Sequence, residues 1–183
     1  MTAVAQPVPV VVQSTRRFPA AVEGELERRR GELLSRAEGV VLDLDRPEAR
    51  REVARAAAGL RVERAYDSAV SVAQLVRFPD LVAALRGIDR LVGPTGRLML
   101  VEPAGRPGLV SVVLSSAWAR TPWVKGFHLN RDITAAVRAT TFSLDDIKRF
   151  TMSTPVLPLR DAVEVHAVRS PARVPSEATR ASA

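Results

Sequence analysis

The sequence predicts an α/β fold in which a mostly parallel sheet is covered by helices on both faces. Three observations lead there. Val40 to Leu44 is a near-continuous apolar run, as a strand buried on both sides requires. Ser68–Val72 and Arg97–Glu102 are two further strand-like runs, and helical patterns separate all three, so each connection is a right-handed crossover between parallel strands. A Gly93-Pro94-Thr95-Gly96 turn delivers the chain from the last of those helices into its strand.

Taken in order, Met1 to Phe18 is an extended arm, because Pro7 and Pro9 favour open geometry and Val8 and Val10–Val12 add β-propensity. Val22, Leu26, Leu33, Leu34 and Ala37 recur at helical spacing, which gives an amphipathic helix over Ala21–Ala37 that Gly39 ends. After the first strand, Asp45 is placed to cap a helix whose first turn holds Pro47 and Glu48. That helix turns Val53, Ala54, Ala57 and Ala58 inward and stops at Gly59.

Asp80 caps the next helix, which carries Val82, Leu85, Ile88, Leu91 and Val92. Leu109–Ala119 fits either a helix or an irregular loop. Asn130 is placed to cap a helix running to about Ala139, and Leu144–Phe150 with Ala162–Val168 reads as an antiparallel pair of final strands. The tail from Ser170 to Ala183 is rich in Pro, Ser and Ala and is expected to be disordered. One compact domain is therefore expected over residues 19–169, between an arm (1–18) and a tail (170–183).

The chain of 183 residues has no cysteine, which removes disulfides, thiolate metal sites and a Cys nucleophile together and fits a reducing compartment. Its two histidines, His128 and His166, leave little for a metal centre. A net charge of +7 would raise nucleic acid as a partner, but all except two of the 27 basic residues are arginine, dispersed among Asp and Glu. The densest run, Arg28-Arg29-Arg30, lies between Glu27 and Glu32 and reads as a charge-paired helix face, so nucleic-acid binding is disfavoured. No apolar run approaches the roughly 20 residues that span a bilayer, and Val8–Val12 is too short for a signal peptide, so a soluble, cytoplasmic protein is expected.

Tyr66-Asp67 before a strand, Phe78-Pro79-Asp80 before a helix, and Leu91 through Pro103 (LVGPTGRLMLVEP) together resemble the block around the fourth and fifth strands of class I S-adenosylmethionine-dependent methyltransferases. Lys125–Ile133 followed by Phe142 is similar to the segment before the last strands in the quinone-biosynthesis and thiol methyltransferase-like subgroup. Glu27–Leu34 and Gly39–Leu44 resemble that group's first helix and strand. The resemblance covers residues 22–169 and implies a Rossmann-like sheet with S-adenosylmethionine as cofactor.

The departures from the family are concentrated on the cofactor side. Glycines that would follow the first strand are replaced by Asp45-Arg46-Pro47-Glu48-Ala49-Arg50, and only 24 positions separate Leu44 from Ser68. That interval holds one helix and a turn, so the family's second and third strands are expected to be missing and the fold to be an abbreviated one. The chain thus resembles a methyltransferase without its cofactor half, with S-adenosylmethionine implied by resemblance only and not held tightly.

Four residues stand out as candidates. Asp43 ends the first strand, where open α/β sheets place ligands, and its alternative fate is to cap a helix or pair with Arg46. Gln74 follows the next strand at the crevice rim; Glu102 ends the third strand, placed to act as a base or to pair with an arginine. His128 lies among Trp118, Trp123 and Phe127 in a segment suited to a pocket mouth. No nucleophile-elbow sequence supports a hydrolase.

Two functions compete: a divergent methyltransferase on a small apolar or quinone-like acceptor, and a methyltransferase-like binding or partner subunit that has lost the cofactor. A missing second strand would leave Val40–Leu44 as an apolar edge, which the Val8–Val12 arm, a second copy of the chain or a partner methyltransferase would cover.

Overall fold

The computed structural model describes residues 18, 20–104, 127–129, 131–154 and 157–170. The sequence readings for the arm, for Leu109–Ala119, for Trp118 and Trp123, for Asn130 and for the tail beyond Ser170 lie outside the described residues.

Chain order gives α1 (Ala20–Arg36), β1 (Val41–Asp43), α2 (Pro47–Ala57), β2 (Tyr66–Val72), a 3-10 turn (Leu75–Arg77), α3 (Leu81–Leu91), β3 (Val92–Pro103), α4 (Ile133–Arg138), β4 (Phe142–Thr151), α5 (Leu157–Arg160) and β5 (Asp161–Arg169). The strands form one five-stranded sheet in the order β1-β2-β3-β5-β4. β1 pairs parallel with β2 and β2 with β3, while β5 runs antiparallel to both β3 and β4. The expected α/β architecture and the final antiparallel pair are both present. Leu44 is followed by a single helix before β2, and β2 pairs directly with β1, so among the described residues no strand occupies the outer edge of β1.

Strand alternation sends side chains to two separate cores. Leu42, Ala69, Leu98, Leu100, Val163 and Val165 meet α2, α3 and α4 on one face; Val70, Val72, Met99 and Val101 meet α1 on the other. Leu85, Ile88 and Leu91 of α3 are fully buried, each contributing about 1.5–3 kcal/mol by removal from water.

Local chemistry explains the element ends. Asp80 accepts a hydrogen bond from the Ala83 amide at 2.9 Å and caps α3, as its sequence position predicts. Two other caps differ from expectation. Arg46, not Asp45, is the N-cap of α2 and makes no side-chain capping bond, its guanidinium having no acceptor to offer, while the Asp45 carboxylate is engaged by Gln74. α4 starts at Ile133 with Asp132, not Asn130, as its cap, through a 2.9 Å bond from the Ala135 amide. Beyond α1, Gly39 has φ +67°, and any Cβ there would collide with Asp67, whose carboxylate accepts the Val40 amide at 2.8 Å.

The arginine run on α1 pairs along the helix as expected: Arg28 with Glu25 and Glu32, Arg29 with Glu25, Arg30 with Glu27. Two of the three also reach inward. Arg29 stacks 4.2 Å over the Phe150 ring, and Arg30 grips Asp43 at 2.6 Å.

At Gly87 of α3 the backbone of α2 comes close. A Cβ at that position would lie 2.5 Å from the Val53 carbonyl oxygen and 3.0 Å from the Ala57 amide nitrogen, both backbone atoms that cannot swing aside. Gly87→Ala should therefore destabilise the fold by about 1–3 kcal/mol despite the better helix propensity of alanine, read as a lower urea midpoint with unchanged slope.

Candidate functional site

The segments that follow the carboxyl ends of β1 and β2 open onto a cleft of about 620 Å³. Phe18, Glu23, Leu26 and Glu27 form its α1 wall; Asp45, Arg50, Gln74 and Arg77 form its floor. Such a crevice at the carboxyl ends of parallel strands is where doubly wound sheets place ligands.

Gln74 organises the floor. Its Nε2 donates to Asp45 Oδ1 at 2.8 Å and to the Val72 carbonyl at 3.2 Å. Its Oε1 accepts from Arg77 Nε at 2.7 Å and Arg50 Nη1 at 3.0 Å. Arg50 Nη1 also donates to the carbonyls of Leu44 and Asp45, at 2.7 and 2.9 Å, so its guanidinium is folded into the turn after β1. Arg77 is buried, and its guanidinium lies 5.1 Å from the Phe18 ring centre and 4.8 Å from that of Phe127, the two rings being stacked 4.9 Å apart.

Burial sets the protonation of this floor. Desolvation, then the neighbouring Asp43 charge, pushes Asp45 up to about 6 against partial compensation by Arg30 and Arg50. Burial likewise pulls Arg77 down to about 10 and lowers Arg50. Asp45 Oδ2 is itself buried and has no hydrogen-bond partner among the described residues.

Beneath the floor lies Glu102, fully buried at the end of β3. Its Oε1 accepts from the Ser71 hydroxyl at 2.5 Å and from the amides of Gln74 and Leu75 at 3.2 and 3.1 Å. One carboxylate oxygen thus ties β2 to β3 and anchors the 3-10 turn that presents Gln74 and Arg77. Desolvation nonetheless outweighs those three donors and pushes the Glu102 carboxyl up to about 7. Ala73, between Ser71 and Gln74, adopts φ +53°, a conformation unfavourable for a residue with a Cβ, and its amide is held by Val101 O at 2.7 Å.

The four sequence candidates separate in space. Gln74 lines the cleft and Glu102 supports it from below, outside the lining. Asp43 turns toward α1, where Arg30 engages both of its oxygens, at 2.6 to 3.4 Å, and Arg46 stands at 3.7 Å. The backbone of His128 is pinned by a 2.7 Å bond from its amide to Val76 O, and burial and Arg131 lower the affinity of its ring for a proton. His166 contacts Glu164 at 2.8 Å on the α1 face. Arg50, Arg77 and Phe18 were not singled out as site residues. A signal existed for Arg77: it interrupts the apolar run Leu75-Val76-Arg77-Phe78, so helix and strand packing bury it with its neighbours.

No family model and no curated protein matches the chain. Among solved structures, a S-adenosylmethionine-dependent methyltransferase of Thermotoga maritima, described as a possible histamine N-methyltransferase, aligns with a TM-score of 0.51 at 12% identity over 81% of this chain and 97% of its own. A putative methyltransferase of Bacillus halodurans aligns with a TM-score of 0.48 at 10% identity over 60% of this chain. A Burkholderia thailandensis 1,6-didemethyltoxoflavin-N1-methyltransferase aligns at 0.44 and 16% identity over 82% of this chain and 79% of its own. The aligned region spans 66% of the Bacillus halodurans chain and 52% of the [4+2]-cyclase SpnF, another structural neighbour. The fold is that of the class I methyltransferases.

The protonation of Glu102 has a measurable consequence. Its folded-state value lies above the ordinary 4.5, so the folded protein holds a proton that the unfolded chain has released. The resulting stabilisation is fully present below about pH 4.5 and is lost as pH rises through about 7. Asp45 acts in the same direction up to about 6. Glu102→Gln retains an acceptor for Ser71, Gln74 and Leu75 but cannot ionise; in urea titrations its stability should fall less than that of the parent between pH 5 and 8. Gln74→Ala should cost about 1–3 kcal/mol at any pH in that range, because it strips partners from buried Arg77 and Asp45.

Proposed function

We propose that the chain is a methyltransferase-like binding or partner subunit whose cofactor site is degenerate. The carrying observation is the Arg50 guanidinium, which is folded onto the Leu44 and Asp45 carbonyls and Gln74. In the family, glycines after the first strand leave room there for the cofactor to approach the backbone. Here Pro47 also removes a backbone donor from that turn, and Asp43 is neutralised by Arg30. The residues present therefore do not fit S-adenosylmethionine, and no methyl-transfer step is assigned to them.

A second reading draws support from the cleft itself. About 620 Å³ is room for a small molecule, and Phe18 and Leu26 beside Glu23, Glu27, Arg50 and Arg77 offer it both apolar and charged contacts, in keeping with a divergent enzyme acting on a quinone-like acceptor or with a binding protein for such a compound.

Isothermal titration calorimetry of the full chain with S-adenosylmethionine and S-adenosylhomocysteine separates the degenerate site from the divergent enzyme. No saturable heat is expected up to millimolar ligand. A dissociation constant of about 0.1 mM or tighter, about 5.5 kcal/mol of binding, would overturn the degenerate reading in favour of the enzyme.

A further inference from the structure

One cation in the cleft uses a single nitrogen on the protein. Arg50 lines the cleft, and its three hydrogen bonds all leave from Nη1, to the Leu44 carbonyl at 2.7 Å, the Asp45 carbonyl at 2.9 Å and Gln74 Oε1 at 3.0 Å. A guanidinium carries five N–H donors, so those on Nε and Nη2 remain. Among the described residues no acceptor meets them, and no carboxylate is paired with the group.

The acids of the same cleft are each answered. Glu27 pairs with Arg30 at 2.9 Å, Asp45 Oδ2 has Arg30 Nε at 3.8 Å, and Glu23 lies in the first turn of α1, where the helix N-terminus offsets its charge. Arg77, on the same floor, donates from Nε to Gln74 and lays its guanidinium against the Phe18 and Phe127 rings. At both Arg50 and Arg77 burial outweighs the nearby acids and loosens the hold on the proton, so a further negative charge on this floor is stabilised.

We infer that the cleft takes a small molecule with one carboxylate on an apolar body, the carboxylate received side-on by Nε and Nη2 of Arg50 and the body lying against Phe18 and Leu26. That edge of a guanidinium offers two parallel donors at the spacing of two carboxylate oxygens. A phosphate presents a similar pair of oxygens, but its second charge would face Glu23, Glu27 and Asp45. A monoanion meets the cation with less of that repulsion. The inference rests on the reading of the cleft as a small-molecule site and states what that molecule carries.

Titration calorimetry of the full chain with cinnamate, cinnamamide and cinnamylammonium tests it, because the three share a body and differ in charge. Cinnamate should bind about tenfold tighter than the amide, and the ammonium should bind most weakly. Arg50→Met should erase the advantage of the carboxylate. Arg50→Lys keeps the charge without the fork and should retain only part of that advantage, which decides the matter if the methionine variant does not fold. An amide or ammonium that binds as tightly as cinnamate overturns this inference and leaves the small-molecule cleft standing; saturable binding by none of the three overturns both. A carboxylate preference unchanged in the folded variants also overturns the inference.

Discussion

A buried carboxylate under the two central strands is the constraint on which the site depends. Glu102 sits in the sheet interior with a single oxygen collecting the Ser71 hydroxyl and two successive backbone amides. Moving that group out of water is costly, and the cost is tolerated because the same contacts hold the chain through the positive φ of Ala73 and aim Gln74 at the cleft. Everything above it follows from where Gln74 points. Its amide has a donor side and an acceptor side, and it uses the first on Asp45 and the second on two arginines.

The consequence is a crevice floor in which Gln74 bonds both Arg50 and Arg77 while Asp45 Oδ2 is left without a hydrogen bond among the described residues. In an open α/β sheet the carboxyl ends of the strands leave backbone groups and a helix N-terminus available to a ligand. Here the carbonyls of Leu44 and Asp45 are taken by Arg50, and the strand-end acid Asp43 is taken by Arg30 from the opposite helix. The walls above that floor, with Phe18 and Leu26 beside Glu23 and Glu27, still enclose a volume that a small molecule would fill. The cleft of this methyltransferase-like fold is thus bounded by the charged and polar side chains of Glu23, Glu27, Asp45, Arg50, Gln74 and Arg77 as well as by Phe18, Leu26 and Pro47.

Much of this was legible from the residues. Asp80 as a cap, the apolar stripe of α3, the Gly39 stop and the charge-paired face of α1 are local features, dictated by spacing and by side chains acting on their own backbone. The short interval between Leu44 and Ser68 likewise determined that only one helix lies between β1 and β2. Of the candidate residues, Gln74 and Glu102 are legible as strand-end positions, which is a sequence property, but their contacts with Asp45, Arg50 and Ser71 are not.

The sequence by itself determined the α/β class, the parallel order of the first strands and the absence of glycine after β1, because periodicity, caps and connection lengths are properties of neighbouring residues. Only the tertiary structure decided which acid meets which arginine. Asp43 and Asp45 are two positions apart, and strand alternation turns Asp43 across to Arg30 on α1 while the turn leaves Asp45 to Gln74. Arg46 and Arg50 are equally plausible fillers of the turn in sequence, but Arg46 points to solvent and Arg50 folds inward. Those outcomes depend on which groups the packed helices bring within hydrogen-bond reach, and no local pattern encodes that.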